Sequence, residues 1–338
     1  MMHLVQIANG DMRRVAVVAE PYLRCLEGVE SVYALAQVSF SRGAPLSDCA
    51  HTLLTGEELL YEEVYSGHSP WRLLAPIDVP GAPSRLLVAG TGLTHLGSAK
   101  DRQAMHLATA PEAEKDLTDS MRMFRWGVEG GRPVEGSVGV APEWFYKGDG
   151  SILRGPSEAL DIPPFAEDGG EEAELAGVYI VDEHGLPHRI GIATGNEFSD
   201  HTFEKRNYLN LAGSKLRACS LGPELVVGAE FGTVAGHVRI ERGSEVIWQK
   251  DIETGEQNMC HSLANLEHHH FKFAGHRQPG SAHVHFFGAH SLSFGDGVEL
   301  RDSDWVEIRF DGFGRPLRNV IRRGRSVNEE LIRVRAMA

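Results

Sequence analysis

Cysteine is scarce in this chain. The four that occur, Cys25, Cys49, Cys219 and Cys260, lie too far apart in sequence for any Cys-x-x-Cys pair. That usage predicts reduced, mostly buried thiols. Positive charge is also in short supply: 33 Lys and Arg face 47 Asp and Glu, a formal net charge of -14. A general nucleic-acid binder needs a basic stripe, so that class is excluded. An anionic small substrate is not excluded, because a bound metal reverses the field locally. No window approaches the roughly 18 consecutive apolar residues of a membrane span. The opening MMHLVQIANGDMRRVAVVAE has neither the apolar core nor the small-residue cleavage site of a secretory signal. A cytoplasmic location, with no membrane or nucleic-acid partner, is the expectation. Internal repeats are missing, and the acidic patch Glu167 to Glu174 is the one biased tract.

What is present suffices for a real core. With 338 residues, 42% of them hydrophobic and 24% charged, the chain fits one large domain or two ordinary ones. Residues 12 to 80 read as mixed α/β. The VAVVA run within Met12 to Ala19 suits a buried strand, and Ser31 to Phe40 and Leu46 to Tyr65 have helical apolar spacing, parted by Gly43-Ala44-Pro45. Trp71 to Ile77 returns to extended chain, since Pro76 disfavours helix just before it. Lys100 to Val128 reads as an amphipathic helix with Leu117, Met121, Met123 and Phe124 turned inward as core; Gly130-Gly131-Arg132-Pro133 breaks it. From Pro142 onward the pattern is β. Leu175 to Val181 reads as a strand. His237 to Ile252 reads as a hairpin turning at Arg242-Gly243-Ser244. Asp304 to Phe310 places Val306, Ile308 and Phe310 on one face. Strands dominate after residue 140, helices before it.

The chemistry concentrates between Glu171 and Glu224. Glu172 and Glu174 stand two residues apart on an expected strand, so both point to one face. Glu197 follows in a Gly-Asn-Glu turn, and Lys215 lies on a later polar stretch closed by Gly222-Pro223. Three carboxylates without a thiolate make a hard, oxygen-rich site suited to Mg²⁺ or Mn²⁺ rather than Zn²⁺. A carboxylate leading into the apolar run LAGVYIV is costly unless it is paired or metal-bound. His95 follows a glycine-rich bend, GTGLTH, where a loop histidine can act as acid or base. Eight of the 17 histidines fall between His261 and His290. Such density suggests a Zn²⁺ or Fe²⁺ site, but the spacing fits neither His-Glu-x-x-His nor a finger pattern, and hydrogen-bonded structural histidines are the expectation.

Taken in order, these segments resemble the fumarylacetoacetate hydrolase superfamily, and within it the AraD1 (GguC-like) sugar-acid branch, over about residues 71 to 320. LLAPI followed by GTGLTH is similar to the family motif that ends in a catalytic-site histidine, here His95. PEWFYKG resembles the Phe-x-Lys-Pro segment, with Lys147 at the lysine and Gly148 where proline is usual. EEAEL resembles the Glu-x-Glu metal motif, implying ligands at Glu172 and Glu174. GNEFSD resembles Asn-Asp-x-Ser, implying a third ligand at Glu197, with Ser199 beside the substrate. SKLRACSLGP resembles the Lys…Gly-Pro segment and implies an active-site lysine at Lys215. The run VELRDSDWVEIRFDGFGRPLRN resembles the closing strand. Two departures stand out. Glu197 replaces the usual aspartate, with Asp200 as a competing ligand. Gly288-Ala289-His290 stands where many members carry Gly-Thr-Pro, so His290 substitutes for a substrate contact.

The resemblance implies an α+β, β-rich fold: a fumarylacetoacetate-hydrolase-like mixed β-roll over 111–338 with a smaller N-terminal α/β part over 1–110, assembled as a homodimer. It implies a 2-oxo acid bound to Mg²⁺, or to Mn²⁺ or Ca²⁺. His95 would remove the C3 proton, and Lys215 would neutralise the substrate carboxylate or the enolate. Lys147, Ser199 and His290 would contact the substrate. The expected activity is dehydration of a 2-keto-3-deoxy sugar acid, a pentonate such as the arabinonate, to 2-oxoglutarate semialdehyde. The alternatives are a C–C bond hydrolase of a 2,4-diketo-3-deoxy acid or acylpyruvate, and a non-catalytic sugar-acid binding protein.

Overall fold

The computed structural model describes residues 1–107, 118–324 and 331–337. Two sheets organise it, one of 13 strands and one of five. At the centre of the larger sheet lies the strand Ala173–Val181, antiparallel to Pro187–Asn196 on one side and to Ala282–Phe286 on the other. All nine of its residues are buried, because it separates two cores. Ala176, Val178 and Ile180 pack with Leu4, Leu35 and Phe286. Ala173 and Leu175 pack with Ile308 and Phe310 of the smaller sheet. Burial on both faces is why its sequence reads as a nearly continuous apolar run.

The larger sheet draws strands from both sides of residue 110. Met2–Asn9 joins it through Leu225–Val227, which pairs in turn with Pro187–Asn196. Leu86–Gly90 runs parallel to Ala282–Phe286, and Phe145–Asp149 closes that edge. The smaller sheet holds the expected hairpin, Val234–Arg242 and Glu245–Thr254, next to Trp305–Phe310. Val306, Ile308 and Phe310 are all buried, as their alternation predicts. All four cysteines are buried and unpaired with one another. No helix among the described residues is long and apolar enough to cross a membrane.

Three segments differ from the sequence reading. Leu46 to Tyr65 is not one helix: Leu46–Thr52 and Tyr61–Tyr65 are helical, but Leu54–Leu60 is a strand paired with Tyr22–Leu26. Its leucine pairs fit either period, and the available strand partner decides. The long helix expected from Lys100 appears as Leu96–Leu107 and Asp119–Gly130. Phe124 is buried there with Met121 and Met123 packed beside it; Leu117 lies outside the described residues. Met2–Asn9 is a strand that the sequence reading passed over.

Candidate metal centre

The centre forms where the chain leaves two paired strands. Beyond the Ala173–Asn196 pair of the ladder, the Glu197 amide donates to the Glu172 carbonyl at 3.0 Å, and Gly170 and Ser199 exchange backbone bonds of 2.9 and 3.0 Å. The Asn196 side chain accepts from the amides of Glu172 (3.1 Å) and Phe198 (3.3 Å). These bonds hold Glu172 opposite Glu197, and strand alternation brings Glu174 to the same face. Carboxylate oxygens of Glu172, Glu174 and Glu197 lie within 4.8 Å of one another, all buried; among the described residues this is the one such group.

Two lysines answer the carboxylates. Lys215, at the end of the short helix Leu211–Lys215, donates to Glu172 Oε1, to Glu197 Oε2 at 2.7 Å and to Ser199 Oγ at 3.0 Å. Lys147 has under 2% of its surface exposed. It pairs with Glu197 Oε1 at 2.7 Å and donates to the carbonyls of Phe198 (2.7 Å) and Lys215 (3.0 Å). His201 Nε2 donates to Glu172 Oε1 at 3.1 Å. Glu174 accepts from the Gly288 amide at 2.6 Å.

Burial works against ionisation of all three carboxyls. In Glu172 the Lys215 charge and the His201 hydrogen bond overcome it and hold the carboxyl well below the usual range. Glu197 is pushed up by burial and by Glu172, against the pull of Lys147 and Lys215. Glu174 is pushed well up by burial and by the charges of Glu197 and Glu172. With all three ionised, the carboxylates exceed the two ammonium groups by one negative charge, which a proton, the His201 imidazolium or a cation would relieve. The donors are all oxygen and hard. The site therefore fits Mg²⁺, Mn²⁺ or Ca²⁺.

The other expected residues are placed as follows. Ser199 is buried, and its hydroxyl accepts from Lys215 and donates to the Glu197 carbonyl at 3.1 Å. Asp200 is not drawn into the ligand group. It caps the helix His201–Arg206, accepts from the Glu167 and Asp168 amides, and pairs with Arg217 at 2.9 Å.

His95 is buried and makes its hydrogen bonds to hydroxyls. Thr94 Oγ1 gives its proton to the Phe287 carbonyl (2.7 Å), so it accepts from His95 Nδ1–H at 3.0 Å. His95 Nε2 is then an acceptor for Thr254 Oγ1 at 3.1 Å. Burial, aided by His290, lowers the His95 pKa to about 3. The His290 ring lies 6.0 Å from that of His95 and lines an open groove of about 700 Å³ with Glu253, Asp251 and Arg309. The histidines of 261–290 form no metal cluster with three or more ligands among the described residues. His201, Asn196 and the Gly288 amide are the site groups that sequence reasoning missed. Only their nearness to the Gly-Asn-Glu and Gly-Ala-His segments could have flagged them.

A β-rich α+β chain with this two-sheet arrangement has the fumarylacetoacetate-hydrolase-like fold. Among solved structures it is similar to 2-keto-3-deoxy-D-arabinonate dehydratase in its apo form, at 18% identity and TM-score 0.70, covering 96% of this chain and 100% of that one. It is also similar to the same dehydratase complexed with magnesium and 2,5-dioxopentanoate, at 18% identity, TM-score 0.69 and the same coverage. A third likeness is 5-carboxymethyl-2-hydroxymuconate delta-isomerase from Mycobacterium smegmatis, at 18% identity and TM-score 0.59, covering 96% of this chain and 100% of that one. No protein-family model matches the chain, and no curated protein matches it in sequence. At these identities the likenesses show the fold.

Proposed function

We propose that the chain is a metal-dependent dehydratase of a 2-keto-3-deoxy sugar acid, turning a 2-keto-3-deoxypentonate such as the arabinonate into 2-oxoglutarate semialdehyde. The observation that carries this reading is the buried Glu172, Glu174 and Glu197 trio, bound up with Lys215. Full-length likeness to a dehydratase complexed with magnesium and 2,5-dioxopentanoate supports it.

Glu172, Glu174 and Glu197 would hold a Mg²⁺, Mn²⁺ or Ca²⁺ ion. When bound, the ion supplies Lewis-acid polarisation of the 2-oxo acid. Lys215 balances Glu172 and Glu197 and offers positive charge to the substrate's carboxylate and developing oxyanion. Lys147 and Ser199, with their polar atoms turned to Glu197 and Lys215, are assigned as supports of those residues rather than substrate contacts. His95 is the proton carrier at C3, with Nε2 as its lone pair because Thr94 holds Nδ1–H. An anionic substrate beside it raises its pKa from about 3 back toward the working range. Loss of the C3 proton and the C4 hydroxyl releases one water, and tautomerisation leaves the semialdehyde. His290, between His95 and the groove, is assigned to the hydroxylated end of the substrate.

The isomerase likeness favours a second reading, in which the same centre isomerises or hydrolyses a different 2-oxo acid. The test is turnover of 2-keto-3-deoxypentonates and 2,4-diketo acids with Mg²⁺ and with EDTA, products identified by mass. Metal-dependent loss of one water from the pentonates is the expected result. Gain of water with cleavage to pyruvate and a second acid would make it a C–C hydrolase. No turnover with metal bound would leave a sugar-acid binding protein.

A further inference from the structure

His201 is buried at the edge of the carboxylate trio, yet neither composition nor motif singles it out. It opens the helix His201–Arg206, directly after the capping Asp200. Its ring packs against Phe294 at 5.2 Å. Nε2 meets Glu172 Oε1 at 3.1 Å, the same oxygen that accepts from Lys215. An ionised carboxylate only accepts, so Nε2 carries the proton. Nδ1 is buried and has no hydrogen-bond partner among the described residues. It faces Gly170, where an added Cβ would come within 2.2 Å of Nδ1 and 2.5 Å of Cε1. Gly170 is itself held by its backbone exchange with Ser199. The ring is thus wedged between a glycine that leaves it room and a carboxylate that needs a donor.

We propose that His201 is a positioning residue for the metal centre. Its Nε2–H, together with Lys215, engages Oε1 of Glu172 and so would leave Oε2 to face a bound cation. Gly170 makes this possible by admitting the ring. The inference rests on the metal reading above, but it concerns how one ligand is aimed, not which reaction follows. Groups that orient metal ligands through a hydrogen bond typically contribute about 10–100-fold to affinity.

The experiment is Mn²⁺ binding to the metal-stripped full chain, by calorimetry and by electron paramagnetic resonance, with melting in EDTA as the folding control. His201→Asn has a donor that stops short of Glu172. His201→Gln places an amide nitrogen close to the position of Nε2. We expect Mn²⁺ affinity to fall roughly 10- to 100-fold in His201→Asn and to recover most of the way in His201→Gln. Gly170→Ala should also weaken Mn²⁺ binding, and that effect should vanish in a His201→Ala background, because the clash is with the imidazole, Nδ1 above all. The coupling remains readable even where a single variant melts lower. Unchanged affinity in His201→Asn overturns the proposal, and so do equal losses in Asn and Gln variants. A Gly170→Ala effect that persists without His201 overturns it as well. A wild-type chain that binds no Mn²⁺ would instead sink the metal reading itself.

Discussion

Glu174 accepts a single short hydrogen bond from the described residues, from the Gly288 amide at 2.6 Å, whereas Glu172 and Glu197 each pair with a lysine. It is the carboxyl that burial and its two neighbours push furthest from ionisation. Glu174→Gln keeps an acceptor for Gly288 and removes the carboxyl whose ionisation burial and its neighbours oppose. The variant should melt in EDTA at or above the wild-type temperature, and it should lose the stabilisation that Mn²⁺ gives the wild type. At 100-fold excess over Kd that stabilisation is about 2.7 kcal/mol. Thermal melting with and without Mn²⁺ reads both; persistence of the Mn²⁺ effect would remove Glu174 from the ligand set. At this scale the sequence was informative. An i, i+2 carboxylate pair before an apolar run and a Gly-Asn-Glu turn are visible as such. His201 was not, since a histidine after Ser-Asp acquires meaning only when Glu172 is brought beside it.

The helix Leu263–Phe271 and the strand Ala282–Phe286 meet through a stack of imidazoles. Trp144 Nε1–H donates to His270 Nδ1 at 3.1 Å. His270 Nε2–H therefore donates to His283 Nδ1 at 3.0 Å, and His283 Nε2–H to Ser281 Oγ at 3.2 Å. His285 stacks on His270 at 4.5 Å with no partner for either ring nitrogen among the described residues. Burial first, and then neighbouring imidazoles, take His283 and His285 down to about 3 and His270 further still. These folded values lie below the unfolded value of about 6.5. The unfolded chain then binds more protons in acid, so stability is full above pH ~6.5 and is lost as pH falls toward 3. Each such histidine contributes about 1.4 kcal/mol per pH unit over that window. His285→Phe should be neutral or stabilising at pH 7, because it removes unpaired buried nitrogens. It should also spare roughly 2 kcal/mol of the loss seen at pH 5. Urea unfolding at the two pH values measures this; an unchanged difference between them would show that His285 is not one of the groups resisting protonation. The i, i+2 spacing of His283 and His285 puts them on one face of the strand, but nothing in that spacing says that helix 263–271 would cover them.

Residues from the whole length of the chain meet at Glu224. Tyr61 donates to it at 2.8 Å, His3 Nδ1 lies at 2.6 Å, and the Arg315 amide donates at 3.0 Å. The Arg315 guanidinium sits 4.1 Å from the Tyr61 ring centre and pairs with Glu20 at 2.9 Å. Tyr61→Phe keeps the ring and deletes one donor to a buried carboxylate. A loss of about 1.5–3 kcal/mol is expected, the range for hydrogen bonds to charged groups. Chemical denaturation measures it. A change within ~0.5 kcal/mol, the usual size for a surface substitution, would mean that the other donors alone satisfy Glu224.

The sequence alone determined the kind of chemistry available. It set an acidic chain without a basic stripe, a hard carboxylate set at Glu172, Glu174 and Glu197, a lysine at Lys215, and strands whose alternation is visible at Val306, Ile308 and Phe310. These are local properties, carried by residue type and period. The tertiary structure decided what meets what. Leu54–Leu60 became a strand because Tyr22–Leu26 offered an edge. Lys147, distant in sequence, became a counter-ion of Glu197. Asp200 was claimed by Arg217 and backbone amides rather than by the carboxylate trio. Such partnerships depend on long-range packing, and short-range spacing in a chain carries no record of them.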